Sequence, residues 1–96
     1  MTVKVIAITT VNPSEPEALQ EYLNQVAPLI ESVGAKMLER YETQRTIVGN
    51  SMPQFVTLIE YPDEYAVEKV FESDEYKALK EVRHKAFTQY QVALVS

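Results

Sequence analysis

QFVTLIEYPDEYAVEKVF, residues 54–71, changes its period halfway along. Gln54 to Tyr61 is rich in β-branched and aromatic residues, the composition of a strand. Pro62-Asp63 ends that strand, because proline cannot donate to a ladder, and Asp63 can cap a helix. Beyond it Ala66, Val67, Val70 and Phe71 share one helical face. A strand therefore feeds a helix through a tight turn, and the rest of the chain is read outward from this step.

Upstream, Ala35 to Val48 reads as a long strand, and Gly49 to Pro53 (GNSMP) favours chain reversal, so the two strands form a hairpin. Before that, Leu19, Tyr22, Leu23, Val26, Ile30 and Val33 form a helical stripe that Gly34 terminates. Asn12 or Ser14 is its expected N-cap, each with a glutamate three residues on, and Pro28 is expected to bend the axis near Asn24. Lys4 to Val11 is a first strand. Downstream, Ser73 restarts the helix with Asp74 and Glu75 at its positive end, and the spacing predicts helix from Asp74 to about Gln89. Gln91 to Val95 is a last strand. The order β-α-β-β-α-β predicts an α+β, ferredoxin-like fold over residues 1–96 as a single domain, with a four-stranded antiparallel sheet and helices on one face.

The strands are apolar on both parities. Val3, Val5 and Ala7 oppose Ile6 and Ile8; Phe55 and Ile59 oppose Val56 and Leu58; Val92 and Leu94 oppose Ala93 and Val95. Helices on one side cover one face only, and soluble monomers rarely expose a contiguous apolar patch beyond ~300–600 Å². A second copy of the chain, packed face to face about a two-fold axis, is the simplest cover and would bury ~800 Å² per subunit. The chain is thus expected to be a homodimer.

Composition removes several function classes. A net charge of -5 offers no basic patch for nucleic acid or an anionic membrane. With no cysteine and one histidine, neither a thiolate nucleophile nor a His/Cys metal site is available. Two glycines cannot supply a phosphate-cradling loop, and the acidic run from Asp63 to Glu75 lacks the calcium-loop pattern, so no cofactor or metal is expected. The start shows no signal peptide and no run reaches the ~20 residues of a membrane span, so a cytoplasmic protein is expected.

Arg83 is the residue that calls for a function. The helical wheel sets it among Tyr76, Leu79, Ala86, Phe87 and Tyr90, in the middle of an apolar stripe. An unpaired buried ion costs several kcal/mol, so a partner is expected. Glu60 on the neighbouring strand can accept its guanidinium, with Tyr61 or Tyr76 completing the hydrogen bonds. Either this is a structural ion pair, or Arg83, Glu60, Tyr61 and Tyr76 line a pocket for a small organic acid or aromatic ligand. His84 and Glu60 are the candidates for moving a proton, although His84 lies about 100° round the helix from Arg83. Ser73 reads as a cap rather than a nucleophile.

Residues 59–83, IEYPDEYAVEKVFESDEYKAL followed by Val82-Arg83, resemble a domain-of-unknown-function family in the dimeric α/β barrel superfamily. Glu60, Tyr61, Pro62, Ser73, Glu75, Tyr76 and Arg83 fall on its motif positions. VGAKMLER, residues 33–40, is similar to the family's Gly-Gly-Arg segment, with Ala35 and Lys36 in place of the second glycine and the arginine. Asp74 stands where proline is usual, and Val48 where glutamate is. The resemblance implies ferredoxin-like subunits that pair into a barrel. Its superfamily includes cofactor-independent oxygenases, isomerases and stress-related proteins, so three functions stay open: a ligand-binding dimer, such an enzyme, or a non-catalytic structural dimer.

Overall fold

The computed structural model describes residues 2–96. β1 (Val3–Val11), β2 (Lys36–Glu42), β3 (Phe55–Tyr61) and β4 (Phe87–Val95) form one antiparallel sheet in the order β2-β3-β1-β4. The helices are α1 (Pro16–Ser32), α2 (Glu64–Phe71), α3 (Asp74–Lys77) and α4 (Lys80–Ala86). Two layers account for the shape, which measures 35 × 30 × 16 Å. This is the expected ferredoxin-like α+β arrangement. Among the described residues no helix is long and apolar enough to cross a membrane.

α1 begins with Pro16, whose missing N–H is no loss in a first turn, and Glu15 precedes it without a side-chain cap. Asn12 and Ser14 therefore do not cap α1. Asn12 instead fastens the turn, accepting from Ser14 N–H at 3.0 Å and donating its side-chain amide to the Lys85 carbonyl at 3.1 Å. At the other end Gly34 adopts φ 78°, and two backbone bonds, Gly34 to Glu31 and Ala35 to Ile30, close a left-handed C-terminal cap. α2 and α3 have the caps their sequences promise: Ala66 N–H donates to Asp63 at 2.8 Å and Tyr76 N–H to Ser73 at 3.1 Å.

Two boundaries differ from expectation. β2 stops at Glu42, because β3 starts at Phe55 opposite it and leaves Arg45 to Val48 with no strand to pair. Ile47 and Val48 are consequently about 85% exposed. The predicted helix from Asp74 to Gln89 divides at Ala78-Leu79 and ends at Ala86, where Asn12 N–H takes the Ala86 carbonyl at 2.9 Å. Phe87 to Gln89 join β4 instead, pairing with Val11 and Thr10 across a register shift.

The core lies between the sheet and the helices. Val5 and Tyr61 rise from the strands to meet Tyr22 and Val26 of α1, Ala66 and Val70 of α2, and Tyr76, Leu79 and Ala86 behind them. The opposite face of the sheet has no covering layer in the single chain. Ile6, Ile8, Val56 and Leu58 are only half-buried there, and Tyr41 and Val95 are exposed.

Candidate functional site

Strand parity decides which side chains share a site. Phe55, Thr57, Ile59 and Tyr61 of β3 face the helices, with Val5, Ala7 and Thr9 of β1 and Tyr90 and Val92 of β4 beside them. β2 carries an extra residue between Met37 and Glu39, a bulge that brings both Met37 and Arg40 onto this face. Between these residues and α1 runs an open cleft of about 450 Å³. Its walls are mostly aliphatic and aromatic, from Leu19, Leu23 and Ile30 of α1 to Phe71 and Phe87. Arg40 stands at the β2 edge with its guanidinium carbon 4.2 Å from the centroid of the Phe55 ring.

At the β4 side three tyrosines from three elements join. The Tyr22 hydroxyl is 2.7 Å from that of Tyr90 and 3.1 Å from that of Tyr76, and the last two are 2.9 Å apart. The triangle closes on itself, and the rings meet edge to face: Tyr22 against Tyr76 at 6.5 Å and against Tyr90 at 5.9 Å. Burial raises the phenol pKa values of Tyr22 and Tyr90, so both stay neutral. Tyr61 is fully buried, its hydroxyl is the one buried side-chain polar atom without a partner among the described residues, and burial pushes its pKa up to about 12.

Arg83 backs this triangle. Its Nη1 donates to the Tyr76 hydroxyl at 3.2 Å, and its guanidinium carbon lies 5.6 Å from the Tyr76 ring and 5.2 Å from the Tyr90 ring. Neutral aromatic faces therefore surround a charge for which a carboxylate was expected. Glu60 lies on the other side of the sheet, since it alternates with Tyr61, and its register partners are Lys4 and Lys36. It thus faces two lysines across the neighbouring strands, away from Arg83. His84 is exposed and shares with Arg83 a second, polar hollow of about 360 Å³, divided from the cleft by Phe87 and Tyr90.

Of the residues singled out in the sequence, Arg83 and Tyr76 are in contact and Tyr61 is buried on the same, helix side of the sheet, while Glu60 and His84 do not join them. Tyr22, Tyr90 and Arg40 are the additions. Tyr22 reads as core in a helical stripe and is core as well; its hydroxyl partners are invisible until β4 begins at Phe87. Arg40 has no signal in the sequence, because the bulge that turns it inward is not written in residue type.

Residues 4–96 match the family described as Domain of unknown function (DUF1330). No curated protein matches the chain significantly. Among solved structures, a protein of unknown function from Rhodopseudomonas palustris is similar over 98% of this chain and 80% of its own, with a TM-score of 0.81 at 16% identity. A protein from Caulobacter crescentus CB15, described as a candidate antibiotic biosynthesis monooxygenase, gives 0.69 at 12% identity over 98% and 87% of the two chains. An uncharacterized NIPSNAP-like domain protein from Burkholderia xenovorans gives 0.60 at 11% identity over 99% and 84%. These structures share the fold, and the match over residues 4–96 establishes the family: the chain belongs to DUF1330.

Proposed function

We propose that this protein works as a homodimer and that each subunit binds a small, ring-bearing organic molecule in the cleft between α1 and the sheet. The observation that carries the ligand is the Tyr61 hydroxyl. It is buried without a partner beside a mostly apolar cleft of about 450 Å³, within the size range of small-molecule sites. A buried hydroxyl left unpaired costs about 1–3 kcal/mol, and a ligand atom that reaches it recovers that loss. Tyr76 and Arg83 support the site from behind by holding the Tyr22 and Tyr90 hydroxyls in place. Glu60 belongs to the sheet face that the second subunit covers in this reading, and His84 to the outer hollow.

A second reading, a cofactor-independent oxygenase or isomerase, draws on the same hydroxyl network, because three phenols in mutual contact beside a cleft can pass a proton. The candidate monooxygenases from Caulobacter crescentus CB15 and Nitrosomonas europaea share this fold at 12% and 13% identity. A non-catalytic structural dimer is what remains if the cleft stays empty. Thermal unfolding against a panel of phenols, naphthols and aromatic acids tests the proposal. Stabilisation by at least one ring compound, lost on filling the cleft with Leu23→Trp, is the expected result. No response from any of them leaves the structural dimer. Turnover of a compound that binds, weakened in Tyr22→Phe, favours the enzyme.

A further inference from the structure

The two ends of the cleft differ in chemistry. At the inner end the hydrogen-bond count is nearly closed. Each phenol has one proton and two lone pairs, and the triangle spends every proton and one lone pair on each oxygen. Arg83 takes the second lone pair of Tyr76. Tyr22 and Tyr90 each keep one acceptor site, and both line the cleft. Tyr61 lines the cleft farther along the sheet, for it pairs with Val3 of β1 whereas Tyr90 pairs with Thr9. Two free acceptors suit a neutral hydroxyl, which has a proton to give. They suit a carboxylate poorly, because a carboxylate has nothing to donate.

The outer end is charged. Arg40 leans over the Phe55 ring at the β2 edge and carries the N–H fork that fits a carboxylate, with Glu42 beside it on the same face, opposite Phe55. Glu39, on the opposite face, is taken by the Tyr41 hydroxyl, so Glu42 is the strand carboxylate with which a ligand anion competes for Arg40. Arg40 pairs with Thr57, Thr57 with Ala7 and Ala7 with Val92, so one row of side chains runs from Arg40 across the sheet to the strand of Tyr90. Three strand steps are roughly 14 Å, and the reach of Arg40 over β3 shortens the open span to on the order of 10 Å. Two fused rings with a polar group at each end fill that length.

We propose that the cleft takes a ring-bearing hydroxy acid lying across the sheet, its carboxylate on Arg40 and its hydroxyl on Tyr22 and Tyr90. Arg40 is the specificity-determining anchor and the tyrosines read the far end. This assignment rests on the cleft being a ligand site and adds the orientation and class of its occupant. Arg83, the cation that draws notice in the sequence, acts through Tyr76 and does not touch the ligand.

The test uses four probes of one shape: naphthalene-2-methanol, 2-naphthol, 2-naphthoic acid and 6-hydroxy-2-naphthoic acid, titrated into the full-length protein by calorimetry. The hydroxy acid is expected to bind tightest, and to lose about tenfold on removal of either its carboxylate or its hydroxyl. In Arg40→Met the carboxylate advantage disappears while the hydroxyl advantage stays; in Tyr90→Phe the pattern is reversed. Arg45→Met, which removes a cation from the exposed β2–β3 loop, keeps the wild-type ranking. Equal binding of all four probes, or an acid preference that survives Arg40→Met, overturns the assignment while leaving the cleft as an apolar site. Absence of binding by every probe overturns the cleft reading and this assignment together.

Discussion

The hydroxyl oxygens of Tyr22 and Tyr90 lie 2.7 Å apart although 68 residues separate them in the chain. The contact joins α1 to β4, and Tyr76 closes it through α3. Polar atoms at the meeting point of three elements fix how those elements sit, because an apolar contact tolerates sliding and a hydrogen bond does not.

Loss of one hydroxyl should therefore be measurable and loss of two should not add. Tyr22→Phe and Tyr90→Phe are each expected to lower unfolding stability by about 1 kcal/mol. Because both remove the same 2.7 Å bond, the double variant should lose less than the sum. Urea unfolding of the four proteins gives the coupling energy. Full additivity would mean that the triangle is a coincidence of packing.

The same phenols predict alkaline behaviour. Burial raises the pKa values of Tyr22 and Tyr90, and that of Tyr61 from 10.0 to about 12. A pKa raised in the folded state means that the unfolded chain gives up its proton first. The stabilisation is complete below pH 10 and is lost as pH rises through about 12. Tyrosinate absorbance and far-ultraviolet circular dichroism should thus move together in this window. Ionisation of the buried phenols with the secondary structure intact would contradict it.

Arg83 and Glu60 are expected to be energetically independent. Breaking a buried ion pair typically costs 3–5 kcal/mol because it strands a charge. Arg83 instead donates to a neutral phenol and stacks near two rings, so Arg83→Met is expected to lose only about 1 kcal/mol. A double-mutant cycle with Glu60→Gln should give a coupling below about 0.5 kcal/mol. A large coupling would restore the ion pair.

That pair shows how the sequence can be read too far and not far enough. The order of elements was legible because Pro62-Asp63, Gly34 and Asn12-Pro13 punctuate clear changes of period. Parity also held the answer for Glu60: a residue next to Tyr61 in a strand cannot share its face. The contact between Arg83 and Tyr90 was expected from a helix running through Tyr90, yet it arises with Tyr90 on a strand. Phe87 and Tyr90, three apart, fit a helical stripe as well as an alternating strand with one irregularity, and only the pairing of β4 with β1 separates the two. Ile47 and Val48 have strand propensity but no neighbour, so propensity alone overextended β2.

Gly34 offers a local test of the α1 stop. At φ 78° any side chain is strained, while a Cβ there would meet only Pro62, at an ordinary 3.5 Å. The loss in Gly34→Ala is then conformational, about 1–2 kcal/mol. Gly34→Asn, which tolerates the left-handed region better, should lose less. Equal losses measured by thermal unfolding would point to steric crowding instead.

The outer sheet face gives the sharpest test of assembly. Ile8 lies on the central strand β1 beside Val56 of β3, on the side away from the helices, and it is half-buried only by its neighbours in the sheet. If that face were bare in solution, Ile8→Glu would put a carboxylate into water at little cost in stability. If a second subunit covers it, the same change buries an unpaired charge in each half of a two-fold interface, and several kcal/mol per ion outweighs the association energy. Sedimentation equilibrium is expected to give twice 11.0 kDa for the wild type and a single subunit for Ile8→Glu, with the circular dichroism of the fold retained. A wild-type protein that sediments as one subunit at micromolar concentration would remove the homodimer, and with it the explanation for a sheet that is apolar on both sides.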